Sequence, residues 1–188
     1  KCMKKILFDI ETNGLLDSLS VVHCICLTDI ESGEIQKFSK LHRPIQEALE
    51  ILKDAEQIIG FNNVSFDNDA IEKVYGDQGY SKRLSWTENL DLMLFAQLKH
   101  PDTKGRDFGL MASGFPGNLV GRHSLEAWGY RLGVLKGDYG KTSDWSECTE
   151  EMVEYCAQDV AVTLALYKYL EPESYSSEAI QLEHDIRR

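Results

Sequence analysis

Apolar positions recur along the chain in two rhythms. Residues 5–11 (KILFDIE) form a short apolar run of the kind a buried strand makes. Residues 21–29 and 35–39 read as the next two strands, with Ser32-Gly33 as the hairpin turn between them, and residues 57–61 (QIIGF) as a fourth. Helical spacing appears at 44–53, where Pro44 suits a first turn, and at 66–75, closed by Gly76. Residues 89–98 read as a strand end that runs into a helix. Residues 124–132 fit a capped helix ended by Gly133, with Leu125, Trp128 and Leu132 on one stripe. The longest helical pattern spans 149–170, with Glu150 and Glu151 suited to its first turn. Residues 178–188 begin another helix, and no closing signal follows. Residues 99–121 are rich in Gly and polar side chains with weak periodicity, which predicts a long surface loop, functional or mobile more often than idle at that length. Strands in a meander, then strands alternating with helices, predict an α/β fold with a mixed central sheet flanked by helices.

Three places put carboxylates where this pattern does not need them. Side chains two apart share a strand face, so Leu7, Asp9 and Glu11 point one way and Ile6, Phe8 and Ile10 point the other way into a core. Two adjacent acids at the end of an apolar strand repel each other and lose hydration, a cost that cations or donors must offset. On this spacing alone, a strand that ends with both acids solvated is the simpler account. The second place is Asn62-Asn63-Val64-Ser65-Phe66-Asp67, which leaves the QIIGF run and enters a helix. Asp67 there also fits a helix-start acid, and Asn62 a turn former. The third is sharper. Met152, Tyr155, Cys156, Asp159, Val160, Thr163 and Leu166 fall on one helical stripe, so Asp159 interrupts an apolar face. A core-facing carboxylate needs a partner. Residues 141–188 are strongly acidic and hold no Arg before Arg187, so a metal ion is the better candidate.

Asp9, Glu11, Asp67 and Asp159 lie on three segments that converge if the strand and helix ends meet. Oxygen-only ligation suits magnesium or manganese rather than zinc. Two such ions roughly 3.5–4 Å apart clamp the attacking and leaving oxygens in phosphodiester hydrolysis. Tyr155, one turn from Asp159, offers a hydroxyl to orient the attacking water.

Composition narrows the field. With 188 residues, 43% apolar and only 4 Pro, the chain is one domain with a sizeable core, which excludes a disordered or collagenous chain. No apolar run approaches the roughly 20 residues of a membrane span, and no signal peptide is legible. A soluble cytoplasmic protein with no membrane partner is the expectation, with Met3 reading as the native start. The 5 cysteines include no C-x-x-C pair, so no zinc site is expected. Cys24 and Cys26 alternate in VVHCICL and should share a face as small hydrophobes. A net charge of −11 argues against a simple duplex-DNA binder but permits an acidic site in which metals, not lysines, meet a phosphate.

The ordered trio D-x-E (Asp9, Glu11), N-x-x-x-F-D (Asn62 to Asp67) and Y-x-x-x-D (Tyr155 to Asp159) resembles the three motifs of the DnaQ-like 3′–5′ exonucleases, which have an RNase H-like fold. The Tyr marks the DEDDy branch; the DEDDh branch has His where Glu154 stands. FDIETNGLL, HSLEAWGYRLG, YCAQDVAVT and the final LEHDI resemble the proofreading domain of bacteriophage-type family A DNA polymerases, and the resemblance covers nearly the whole chain. It implies an exonuclease domain over 3–172, with 173–188 starting a helix toward a polymerase domain of the same parent chain. It implies two divalent cations, Mg2+ or Mn2+, with Asp9 bridging both, Glu11 and Asp159 on the first and Asp67 on the second, and Tyr155 orienting the nucleophile. Thr12 and Leu15 would lie near the terminal nucleotide of a single-stranded DNA 3′ end, with Asn62 and Phe66 supporting it. Asp91 resembles a further acid near such sites and equally fits a helix cap. Phe115, Arg106, Arg122 and His123 are candidates for strand contacts, though a solvated surface accounts for them more simply. Two other functions fit less well: an exoribonuclease on short RNA, and an inactive exonuclease fold used for binding, which the full set of acids disfavours.

Overall fold

The computed structural model describes residues 4–141 and 143–187. Cys2, the expected start at Met3 and the last residue of the expected terminal helix lie outside them. Five strands, β1 (Lys5–Thr12), β2 (Val22–Asp29), β3 (Gln36–Ser39), β4 (Gln57–Gly60) and β5 (Asn89–Asp91), form one sheet in the order β3-β2-β1-β4-β5. β1 pairs antiparallel with β2, and β2 with β3, while β1, β4 and β5 run parallel, so the sheet is mixed as the element order predicts. The helices are α1 (Ile45–Asp54), α2 (Asp67–Tyr75), α3 (Leu92–Lys99), α4 (Lys104–Leu110), α5 (Leu125–Leu132), α6 (Glu150–Leu170) and α7 (Ser177–Arg187).

The period-two alternation of β1 divides the core in two. Ile6, Phe8 and Ile10, with Ile25, Leu27 and Phe38, pack under α1 and α2 through Leu49, Leu52, Ala70 and Ile71. On the opposite face Leu7, Cys24, Cys26, Ile59 and Leu90 pack under α3, α5 and α6 through Phe95, Trp128, Val153 and Val160. α7 closes this layer with Ile180, and His184 accepts a hydrogen bond from the Asp91 amide at 2.9 Å. The result is three layers, helix on sheet on helix. In such sheets the crevice outside the carboxyl ends of the parallel strands is where ligands bind. Here those ends carry Glu11, the turn after Gly60, and Asp91. Among the described residues no helix is long and apolar enough to cross a membrane.

Several boundaries differ from the sequence reading. Pro44 stands just before α1 as its cap residue rather than in its first turn. α2 ends at Tyr75 with Gly76 as its cap residue, as the sequence places it, but Gly76 keeps a right-handed φ of −56° and a short turn carries the chain on to Gly79, whose φ of +85° is the left-handed one. The expected loop at 99–121 is largely helical, with α4 and two short turns at 111–113 and 117–119. Polar contacts hold this segment, so no apolar stripe announces it. Asp107 and Arg131 are fully buried and pair at 2.8 and 2.9 Å. Thr103 Oγ1 and the Gly121 amide also donate to Asp107, and Arg131 donates to the Arg122 carbonyl.

α6 starts where the sequence places it, with Thr149 Oγ1 accepting from the Met152 amide at 3.2 Å. Thr149→Ala is expected to lower stability by about 1 kcal/mol, read from urea unfolding.

Candidate active site

β1 delivers Asp9 and Glu11 to the α6 side of the sheet at its carboxyl end, and a register shift follows between Glu11 and Thr12. After β4 the chain turns sharply through Asn62, whose φ of +59° is uncommon for a residue other than Gly. A Cβ on Gly60 would lie 2.8 Å from that of Asn63, so only Gly lets the loop close this tightly. Asp91 anchors the loop: its carboxylate accepts from the amides of Asn62 (2.9 Å), Val64 (3.2 Å) and Met93 (2.9 Å). Asp91 is therefore the cap of α3 and the organiser of the Asn62 turn, not a wall of the cleft. This turn sets Asp67 as the first residue of α2. α6 contributes Tyr155 and Asp159.

These segments meet. A cleft of about 420 Å³ is lined by Asp9, Glu11, Asp67, Tyr155 and Asp159, together with Asn62 and Phe66. An adjoining apolar pocket of about 370 Å³ is lined by Thr12, Leu15, Phe66 and Trp145. Leu15 is 75% exposed there, whereas Thr12 is buried and donates its hydroxyl to the Gly14 carbonyl at 2.7 Å, shaping the turn. Phe115, Arg106, Arg122 and His123 are not among the lining residues. Phe115 is core against Leu119 and Ala127, not solvated surface. Arg106 donates to Tyr169, Arg122 to the Asn118 carbonyl, and the His123 ring lies 5.8 Å from that of Trp128.

Two lining residues had no sequence signal. Lys136 places Nζ 2.6 Å from Asp159 Oδ2 and 4.8 Å from the centre of the Tyr155 ring. Asp159 thus has a cationic partner after all, a Lys just upstream of the acidic stretch that holds no Arg before Arg187. Trp145 packs edge-on to Tyr139 and Tyr155, and its carbonyl accepts from His23 Nε2 at 2.8 Å. The segment 134–148 has no periodicity, so nothing in its pattern of apolar and polar positions marks either residue.

Four acids face one ammonium. Burial raises Asp9 well above the usual carboxylate range, and the charges of Asp159, Glu11 and Asp67 add to it. Burial and Asp159 do the same to Glu11. Asp67, 6% exposed, is pushed up to about 7, chiefly by burial. Asp159 is also raised by burial, against the pull of Lys136. Burial works against the Lys136 charge, but Asp159 and Tyr155 outweigh it and hold it above the usual range. Asp159 Oδ1 is buried and finds no hydrogen-bond partner among the described residues. Crowded oxygens, an orphaned carboxylate atom and a lysine neutralising one acid form a donor set that fits hard divalent cations.

Fold and site together define an α/β domain with an acidic cleft at the carboxyl ends of its parallel strands. The chain belongs to the RNase H superfamily, whose family model matches residues 6–171. It is 33% identical to the DNA-directed DNA polymerase of Enterobacteria phage T3 over 94% of this chain, and spans about 30% of the length of that protein. The structure is similar to the family B DNA polymerase of Pyrobaculum calidifontis, with a TM-score of 0.63 and 18% identity over 92% of this chain and 25% of that one. It is also similar to Escherichia coli RNase D, an exoribonuclease, with a TM-score of 0.58 and 16% identity over 98% of this chain and 45% of that one. At such identities the two structures bear on the fold alone.

Proposed function

We propose that the chain is a metal-dependent 3′–5′ exonuclease that hydrolyses single-stranded DNA ends to nucleoside monophosphates, as the proofreading part of a DNA polymerase. The observation that carries this is the convergence of Asp9, Glu11, Asp67, Tyr155 and Asp159 in one cleft. The kinship with a phage DNA polymerase supports DNA over RNA and a polymerase domain in the same parent chain.

Asp9, Glu11, Asp67 and Asp159 would hold two divalent cations, Mg2+ or Mn2+. Bound there, the cations supply a nucleophilic water at neutral pH and charge to offset that of the phosphate. The Tyr155 hydroxyl orients the attacking water; burial keeps it protonated, so it can donate and accept. Lys136 adds the one basic side chain among the described lining residues and keeps Asp159 oriented. Phe66, Leu15 and Trp145 offer apolar surface to the terminal base, and the turn at Asn62 supports the strand end. Tyr155→Phe is expected to lower the single-turnover rate by about 10²-fold with little change in thermal stability.

The test is a 3′-end degradation assay on matched DNA and RNA oligomers. Faster release of deoxynucleoside monophosphates, and faster attack on a mismatched than on a matched terminus, are expected. Faster attack on RNA would favour the exoribonuclease reading. No hydrolysis with either Mg2+ or Mn2+ would leave a binding module. The acidic surface also predicts poor duplex binding with a shallow salt dependence, measurable by fluorescence anisotropy.

A further inference from the structure

Behind the acids of the cleft lies a sulfur that the proposed hydrolysis does not use. Cys156 follows Tyr155 on α6 and is fully buried. Its Sγ lies 3.5 Å from Asp9 Oδ2 and 3.4 Å from the Asp9 carbonyl oxygen. One ligand atom from each of Asp9, Glu11 and Cys156 lies within 4.8 Å of the others, close enough for a single ion to touch all three. Cys24 and Cys26 stand opposite Glu11 and Asp9 on β2 and share one buried cluster with Cys156, so sulfur extends behind the carboxylates. A second observation points to a missing ligand. Asp159, 4% exposed and three residues beyond Cys156, lines the same cleft and leaves Oδ1 without a partner among the described residues.

We propose that Cys156, Asp9 and Glu11 form a site for a thiophilic divalent cation of the zinc or cadmium class, which competes with the hydrolytic cations for Asp9. Magnesium takes oxygen ligands in near-octahedral geometry and gains nothing from a thiol. Zinc and cadmium take mixed sulfur and oxygen sets, and a thiolate strengthens the hold. On binding, the Cys156 S–H bond breaks, its proton goes to solvent and a sulfur–metal bond forms, with no change of oxidation state. The oxygen-only expectation drawn from the motifs is thus incomplete: the carboxylate pair has a sulfur on its inner side. The consequence is inhibition by traces of zinc, and only that consequence rests on the nuclease reading.

The experiment titrates the reduced, metal-free chain with cadmium chloride alone, without DNA, and follows the ultraviolet sulfur-to-cadmium charge-transfer absorption. A saturable band at one equivalent is expected. It should vanish in Cys156→Ser and in Cys156→Ala, two variants whose folding is checked by thermal melting. It should persist in Cys2→Ser/Cys148→Ser, and lose about tenfold or more in affinity in Asp9→Asn. Excess Mn2+ should displace it. A missing band in the unaltered chain, or an undiminished band in both Cys156 variants, would overturn the proposal. So would unchanged affinity in Asp9→Asn, which would put the ion on the sulfurs alone. Because no nucleic acid is cut, these outcomes are independent of whether the chain is a nuclease.

Discussion

Asp9→Asn is expected to abolish hydrolysis while raising the thermal stability of the metal-free protein. The two effects have one cause. Asp9 lies half-buried beside Asp159, Glu11 and Asp67, whose charges oppose its own. The amide keeps the shape, removes the repelling charge and is a poor cation ligand. Loss of a cation ligand should remove several kcal/mol of transition-state stabilisation, a fall of about 10³-fold or more in rate. Relief of repulsion should raise the melting temperature of the metal-free protein in chelator. A variant that merely misfolded would lose both activity and stability. Single-turnover rates and melting in chelator separate the two, and a wild-type rate in Asp9→Asn would contradict the account.

The second large effect is on pH dependence. The metal-free protein should lose stability as pH rises from about 5 to 7.5, and saturating Mg2+ or Mn2+ should restore it. An acid whose pKa is higher in the folded than in the unfolded chain holds more protons when folded, so stability falls as pH climbs through the gap. For Asp67 that gap runs from the ordinary 3.8 to about 7, and Asp9, Glu11 and Asp159 shift in the same direction. Acids shifted down, such as Asp107 with its Arg131 partner, act oppositely but finish titrating below this window. Lys136 stays charged throughout it and adds no slope. Cations that bind only the folded state at about 1,000 times their Kd contribute about 4 kcal/mol. Melting midpoints across this pH range, with and without Mn2+, provide the check; a flat or rising metal-free profile would contradict the electrostatic picture of the cleft.

What the sequence made legible is what periodicity encodes. The alternation of β1 sorts Leu7, Asp9 and Glu11 from Ile6, Phe8 and Ile10, and the structure puts the two sets on opposite faces. The stripe of α6 turns Asp159 inward at 4% exposure, as its apolar neighbours require. What periodicity cannot encode was missed. α4 is held by Asp107 and Arg131, a polar pair 24 residues apart that no apolar spacing reveals. Lys136 reaches Asp159 from a segment without regular structure, 23 residues upstream. Cys156 reads as one more small apolar residue on its helix. Its contact with Asp9 arises only because α6 packs across the sheet against β1. In each case a long-range polar contact carries the information, and its partners look ordinary when read singly.

The most direct measurement is anomalous diffraction from crystals grown with Mn2+ and a nucleoside monophosphate. The account predicts two peaks roughly 3.5–4 Å apart within the cleft, touching Asp9, Glu11, Asp67 and Asp159, with the monophosphate alongside. Manganese bound elsewhere, with those carboxylates holding none, would contradict it.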